Sequence, residues 1–227
     1  MMKEKISLQT LRKYSLLRDL EEEDLQKIKD RLFSKAVKKD EILILEGEVS
    51  NQLIFVEKGW FKSEKTSKEG RQQTLRFIGP WEVINEYAVF SEEPSAAAFV
   101  ALEEGLVHYL QKPDIDNLLN SSPKFSKAVI KNLAKRIHHL LNHVENLSLY
   151  SVEQRLAQYL LDEEIGGVIK RQSWKTQAEI AAKLGTVVDV INRVLQKFEK
   201  QGMIVISRHK FTILDKVKLK NIIEKQD

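Results

Sequence analysis

Thr176-Gln177-Ala178-Glu179-Ile180-Ala181-Ala182-Lys183-Leu184-Gly185-Thr186-Val187-Val188-Asp189-Val190-Ile191-Asn192-Arg193 holds two helix starts and one sharp turn in 18 residues. Thr176 and Glu179 have the spacing of a capping box, in which hydroxyl and carboxylate each satisfy a free amide of the first helical turn. Gly185 permits a left-handed turn, and Ala181 is small enough to let two helices cross closely behind it. Thr186 to Asp189 repeats the box and predicts a second helix. Along it Ile191, Val194, Leu195 and Phe198 form an apolar face. Asp189, Asn192, Arg193 and Gln196 fall on the opposite face at i, i+3, i+4 and i+7. Gln201-Gly202 ends the helix. Residues 203–207 and 211–214 read as two strands around a basic tip, Arg208-His209-Lys210. Short capped helix, tight turn, helix with a polar face and basic hairpin, in this order, predict a winged helix-turn-helix whose second helix enters a DNA major groove. Arg193 can donate two bonds to guanine, Asp189 can accept from cytosine, Asn192 can read adenine or hold a phosphate, and Val188 can meet a thymine methyl. Thr176, Gln177 and Gln196 complete the candidate face. Lys183, Lys197 and Lys210 are candidates for backbone phosphates, which position a protein without specifying sequence.

N-terminal to this segment, residues 151–164 read as one helix and residues 123–150 as a long one opened by Ser121-Ser122-Pro123. The long helix carries Ile130, Leu133, Ile137, Leu140, Val144 and Leu147 at steps of 3, 4, 3, 4 and 3. That alternation is the seam of a helix paired along its length and predicts a homodimer; packing within its own domain is the other reading. Apolar runs at residues 42–45, 53–56, 74–78, 96–102 and 106–110 alternate with Gly47, Gly59, Gly70, Gly79-Pro80 and Gly105, which predicts a small β-barrel or roll. Residues 7–34 have helical spacing. The expected fold class is therefore α+β: a sensory β-roll domain over 1–122, a dimerisation helix over 123–150 and a winged helix-turn-helix over 151–227.

The chain of 227 residues carries a net charge of +4. Residues 152–227 hold 14 Lys and Arg against 10 Asp and Glu, while the first 151 hold 23 of each, so the excess lies in the expected DNA-binding part. With no cysteine there is no disulfide, thiolate nucleophile, cysteine-ligated zinc or iron–sulfur cluster. No membrane-length apolar run or leader is read, and the expected compartment is the cytoplasm. No glycine-rich phosphate loop or catalytic spacing points to an enzyme.

With both halves in view the chain resembles the Crp–Fnr family of bacterial regulators over nearly all its length. The matching stretches are residues 38–47, Phe55-Val56-Glu57-Lys58-Gly59, residues 70–75, Gly79-Pro80, Leu133-Ala134-Lys135-Arg136-Ile137, Arg155-Leu156-Ala157-Gln158 and residues 176–202. The resemblance implies a cyclic-nucleotide-binding-like double-stranded β-helix, a homodimer on palindromic DNA, RNA polymerase as a partner, and a small effector that alters DNA affinity. Fnr-like members carry Val-Glu-x-x-Ser-Arg where this chain has Val188-Asp189-Val190-Ile191-Asn192-Arg193, which implies TTGA-like half-sites, with Asn192 placing the T positions in question.

The effector side departs further. The expected pocket residues are Trp81, Asn85, Glu86, Tyr87, Ser95, Ala96, Leu140 and Leu141. Ser95 stands where cyclic-AMP binders place an arginine on the phosphate, and Leu140-Leu141 replace their adenine-contacting polar pair, so cyclic AMP is not the expected effector. Phe77, Trp81, Tyr87, Phe90 and Phe99 suggest an apolar ligand pocket, or simply the filling of the roll. Some family members bind haem and sense nitric oxide or carbon monoxide. His138, His139 and His143 are the candidate metal ligands here, although surface histidines on a helix are more often bystanders. A ligand-binding roll acting through protein contacts is the competing function.

Overall fold

The computed structural model describes residues 6–224, leaving outside it residues 1–5 and 225–227, the outermost parts of the first and last expected domains. Its contacts divide the chain into two units. One takes in residues up to Lys65 together with Leu75–His139, and the other Thr66–Thr74 together with everything from Leu140.

The first unit is built on two antiparallel four-stranded sheets, ordered β1-β8-β3-β6 and β2-β7-β4-β5. The strands are β1 (Phe33–Val37), β2 (Ile42–Ile44), β3 (Gln52–Lys58), β4 (Phe61–Thr66), β5 (Gln72–Ile78), β6 (Val83–Ile84), β7 (Ala98–Ala101) and β8 (Gly105–Gln111). Strands distant in sequence interleave in each sheet, as a double-stranded β-helix requires. β3 explains why one stretch is apolar without alternation. Ile54 and Val56 join Val37, Ile44, Phe61, Ile78 and Val107 in the core of the roll. Leu53 and Phe55 instead join a second core built with helices α1 (Leu8–Leu11), α2 (Glu22–Arg31), α4 (Lys112–Ser121) and the first turns of α5 (Pro123–Leu149). A strand covered on both faces reads as a continuous apolar run. Gly59 and Gly105 lie where strands turn back, and a Cβ on either would stand 2.8 or 2.6 Å from the facing carbonyl oxygen. β1, β4, β6 and the short helix α3 (Glu86–Ser91) are further elements that the apolar pattern does not announce.

Inside this unit the imidazole of His108, 1% exposed, bonds Ser34 Oγ through Nδ1 at 2.8 Å and Glu57 through Nε2 at 2.6 Å. This serine–histidine–carboxylate row ties β1, β8 and β3 together. The imidazole is buried, while the Glu57 side chain keeps 20% of its surface exposed.

The second unit has α6 (Val152–Glu163), β9 (Val168–Lys170), α7 (Gln177–Lys183), α8 (Val188–Lys200), β10 (Ile204–Ser207), β11 (Lys210–Ile213) and α9 (Lys216–Glu224) around one core that includes Leu156, Leu160, Ile180, Ile191, Leu195, Phe198, Phe211 and Leu219. Its sheet has three strands, β10-β11-β9, rather than the two expected. α9 starts where the Asp215 carboxylate accepts from the Lys218 amide at 2.9 Å, a cap the sequence reading passed over. Among the described residues no helix is long and apolar enough to cross a membrane.

The cap expectations need correction. Thr176 Oγ does accept from the Glu179 amide at 3.2 Å, but the Thr176 amide donates to the Trp174 carbonyl at 2.9 Å, so that half of the box has no donor left. At α8 the cap position is Val187, one residue beyond the expected Thr186, whose amide is drawn back to the Ala181 carbonyl at 3.0 Å. A complete capping box occurs instead at Ser151 and Gln154, at the start of α6.

Candidate nucleic-acid interface

α7 and α8 are joined through Gly185 at φ +66°, the left-handed turn that the glycine predicts. A Cβ there would stand 2.7 Å from Leu147 Cδ2 and 3.0 Å from Gln73 Oε1. Gly185→Ala therefore combines backbone strain with a clash and is expected to destabilise the second unit by about 1–3 kcal/mol, read as a shift in urea midpoint. The carbonyls at the end of α7, its negative pole, are met by three side-chain donors, two of them cationic. Arg155 Nη1 donates to Leu184 O at 2.5 Å, Arg71 Nη2 to Gly185 O at 2.8 Å and Gln73 Nε2 to Lys183 O at 3.4 Å. Burial, and then the nearby charge of Arg71, press the Arg155 guanidinium below its ordinary pKa. These contacts fix the turn that aims α8.

α8 is strongly two-faced. Ile191, Leu195 and Phe198 are buried to 1% exposure or less. On the other side Asp189, Arg193, Gln196 and Lys197 are exposed, with Val188 and Asn192 half-buried. Asp189, Arg193 and Gln196 thus share one open face, as their spacing predicts. Thr176 is exposed at the start of α7, its hydroxyl engaged as the cap, and Gln177 beside it is half-buried. Lys197 forms an ion pair with Glu153 at 2.6 Å, so contact with a phosphate requires exchanging partners. Lys210 is not at the tip of the wing. It pairs with Ser207 on β10 and lies opposite Lys170 on β9, leaving Arg208-His209 as the tip. Like charges directly opposite on neighbouring strands are unfavourable, and a phosphate lying over both relieves this. Lys170 is the residue the sequence reading missed: three residues of β9 after a double glycine carry too little pattern to be seen.

Within the first unit, most of the expected effector residues already have partners in their own chain. Trp81 stacks edge-on against Tyr14 at 5.6 Å with Lys13 over its ring. Asn85 Nδ2 donates to the Ser50 and Gln52 carbonyls, and Ser95 Oγ to the Ala97 carbonyl at 2.8 Å. Glu86, 5% exposed, accepts from Asn132 and Arg136 on α5, each at 3.0 Å. Tyr87 and Ala96 are exposed, as are Leu140 and Leu141 in the second unit. The aromatic residues separate for the same reason that β3 is covered on both faces: Phe99 packs on the inner core, while Trp81 and Phe90 pack on the outer one.

Among the described residues no three His, Asp or Glu side chains converge as a metal site. His139 lines a hollow of about 350 Å³ walled by Arg76, Glu82, Lys135 and Arg136, a charged surface unlike the apolar slot a macrocycle needs. The lining at His139 does not fit a haem.

Residues 34–122 match the family described as a cyclic nucleotide-binding domain, and residues 154–222 match the Crp-like helix-turn-helix domain. An anaerobic regulatory protein of Haemophilus influenzae is 27% identical over 211 residues, covering 88% of this chain and 79% of its own. A CRP-like cAMP-activated global transcriptional regulator of Mycobacterium tuberculosis is 24% identical over 180 residues, covering 77% of this chain and 80% of its own. In fold the chain is similar to FixK2 from Bradyrhizobium japonicum, with TM-score 0.75, 18% identity and coverage of 86% and 99%. It is similar also to a putative Crp/Fnr-family regulator of Eubacterium rectale, with TM-score 0.72, 24% identity and coverage of 94% and 99%. A β-roll of the cyclic-nucleotide-binding type, a long helix and a helix-turn-helix thus follow one another, and the chain belongs to the Crp–Fnr family of DNA-binding transcription regulators.

Proposed function

We propose that this protein is a cytoplasmic, sequence-specific regulator that binds a palindrome of TTGA-like half-sites as a homodimer, with Asp189, Asn192, Arg193 and Gln196 reading bases. We assign Lys210, joined by Lys170, to the phosphates. The domain bounds at 122 and 150, and RNA polymerase as a partner, belong to the same reading. The observation that carries it is the open polar face of α8 set against a fully buried opposite face, with two facing lysines on the adjacent sheet. An effector other than cyclic AMP is proposed, because Glu86 is already paired with Arg136 and hydrogen-bonded by Asn132, and Ser95 offers no cation to a phosphate.

Fluorescence anisotropy on a labelled palindrome tests this against the rival reading, a receptor roll that docks on protein. Affinity is expected to fall by about a thousandfold between roughly 50 and 200 mM salt, the signature of some six or more phosphate contacts. It should also exceed affinity for a scrambled duplex by at least about a thousandfold. A flat salt response, or equal binding to both duplexes, would favour protein docking.

A further inference from the structure

α5 carries Lys124, Lys127, Lys131 and Lys135 along one side, and the chain has no Asp or Glu from residue 123 through 144. Elsewhere in the first unit Lys27 and Lys112 each have an acidic neighbour one turn away, Glu23 and Asp116. On α5 the pairs 127/131 and 131/135 are like charges at i, i+4, which repel. Lys124 pairs with Glu21, whereas Lys127, Lys131 and Lys135 have no ion-pair partner among the described residues. A solvated helix face explains exposed lysines but not their concavity. Ser15, Arg18 and Asp19 wall the row into a groove of about 400 Å³. This groove shares Ser15, Asn132 and Lys135 with the hollow of about 350 Å³ that holds Arg76 and Arg136. Together the two are lined by seven Lys and Arg against two acids, Asp19 and Glu82, in a part of the chain whose charges sum to zero.

We infer that this groove binds a small polyphosphate-bearing anion, held along Lys124, Lys127, Lys131 and Lys135 and closed on the other side by Arg18. The charge row runs over the 12 residues from Lys124 to Lys135, about 16 Å of helix, which exceeds the reach of a single phosphate and suits a chain of three or more. The combined volume is that of a small-molecule site rather than of a macromolecular surface. The row is centred about 145° round the helix from Ile130, Leu133, Ile137 and Leu140, so pairing of two chains along that seam leaves the groove open.

Calorimetric titration of the full-length protein with inorganic tripolyphosphate, at roughly 150 mM salt to suppress loose surface association, tests the site. Saturable binding is expected at one site per chain. The exposed pair Lys127→Gln/Lys131→Gln should weaken it about tenfold or more while leaving DNA affinity without the anion and thermal stability intact. Replacing both Arg208 and Lys210 by Gln should leave tripolyphosphate binding in place. A nucleoside triphosphate binding more tightly than tripolyphosphate would show that the base is also held, and equal affinity that the phosphates alone are recognised. Absence of binding, or loss in the wing variant but not in the groove variant, overturns the proposal.

Discussion

Arg193→Ala is expected to lower affinity for the cognate palindrome by about 5- to 150-fold, corresponding to ~1–3 kcal/mol, and to relax discrimination at one G·C pair in each half-site. Arg193 lies on the second turn of α8, is exposed, and makes no hydrogen bond or ion pair among the described residues, so its fork is free to meet a base edge. The backbone beneath it is held by the buried Ile191 and Leu195. Removing an exposed side chain from such a helix should change folding stability by less than about 0.5 kcal/mol, so lost binding cannot be attributed to unfolding. Arg193→Lys should recover part of the general affinity but little of the G·C preference, because a single ammonium does not reproduce two parallel donors. Removal of Lys210 should instead weaken all duplexes alike and reduce the salt slope by about one. Preserved discrimination in Arg193→Ala would mean that another element reads the site.

The DNA-binding unit was legible because its signals are local. Ala181, Gly185 and the two-faced run from Val188 to Phe198 each impose a backbone or packing requirement that few other arrangements satisfy, and the structure places all of them as expected. The cap of α8 was misread by one residue because Thr186 has the right chemistry for a cap, yet its amide is claimed by the carbonyl of Ala181 across the turn. β4 was hidden for a different reason. Its Phe61-Lys62-Ser63-Glu64 is buried throughout, and the polar side chains are accommodated by a Lys62–Glu64 ion pair at 2.8 Å that no apolar count reveals. β9 and β6 are too short to show a period. The effector side was the least legible. Family resemblance indicates which turn the residues occupy but not which hydrogen bonds they already make, and Asn85, Glu86 and Ser95 all turn out to be engaged with their own chain.

Leu140→Asp is expected to convert a dimer into a monomer at micromolar concentration, measured as solution mass by light scattering. Four residues of the seam, Ile130, Ile137, Leu140 and Val144, are 69%, 59%, 49% and 60% exposed in the single chain, a row of large apolar side chains that a second copy would cover. Two other seam residues, Leu133 and Leu147, also have partners within the chain. Leu133 packs on the outer core of the first unit, and Leu147 Cδ2 sits where a Cβ on Gly185 would fall. Leu140 lies between them and makes the cleaner test. In a parallel pair the substitution sets two carboxylates against each other and also removes two buried leucines, each worth about 1.5–3 kcal/mol when covered. Since one helix-turn-helix gains its partner half-site through the effective concentration the dimer provides, affinity for the palindrome should fall by about 10²–10⁴-fold. Binding to a duplex with one half-site should change little. His138→Asp, on the opposite side of the helix, should leave both mass and affinity unchanged. A Leu140→Asp protein that still has the mass of a dimer would place the interface elsewhere, and the exposed row on α5 would then need a different occupant.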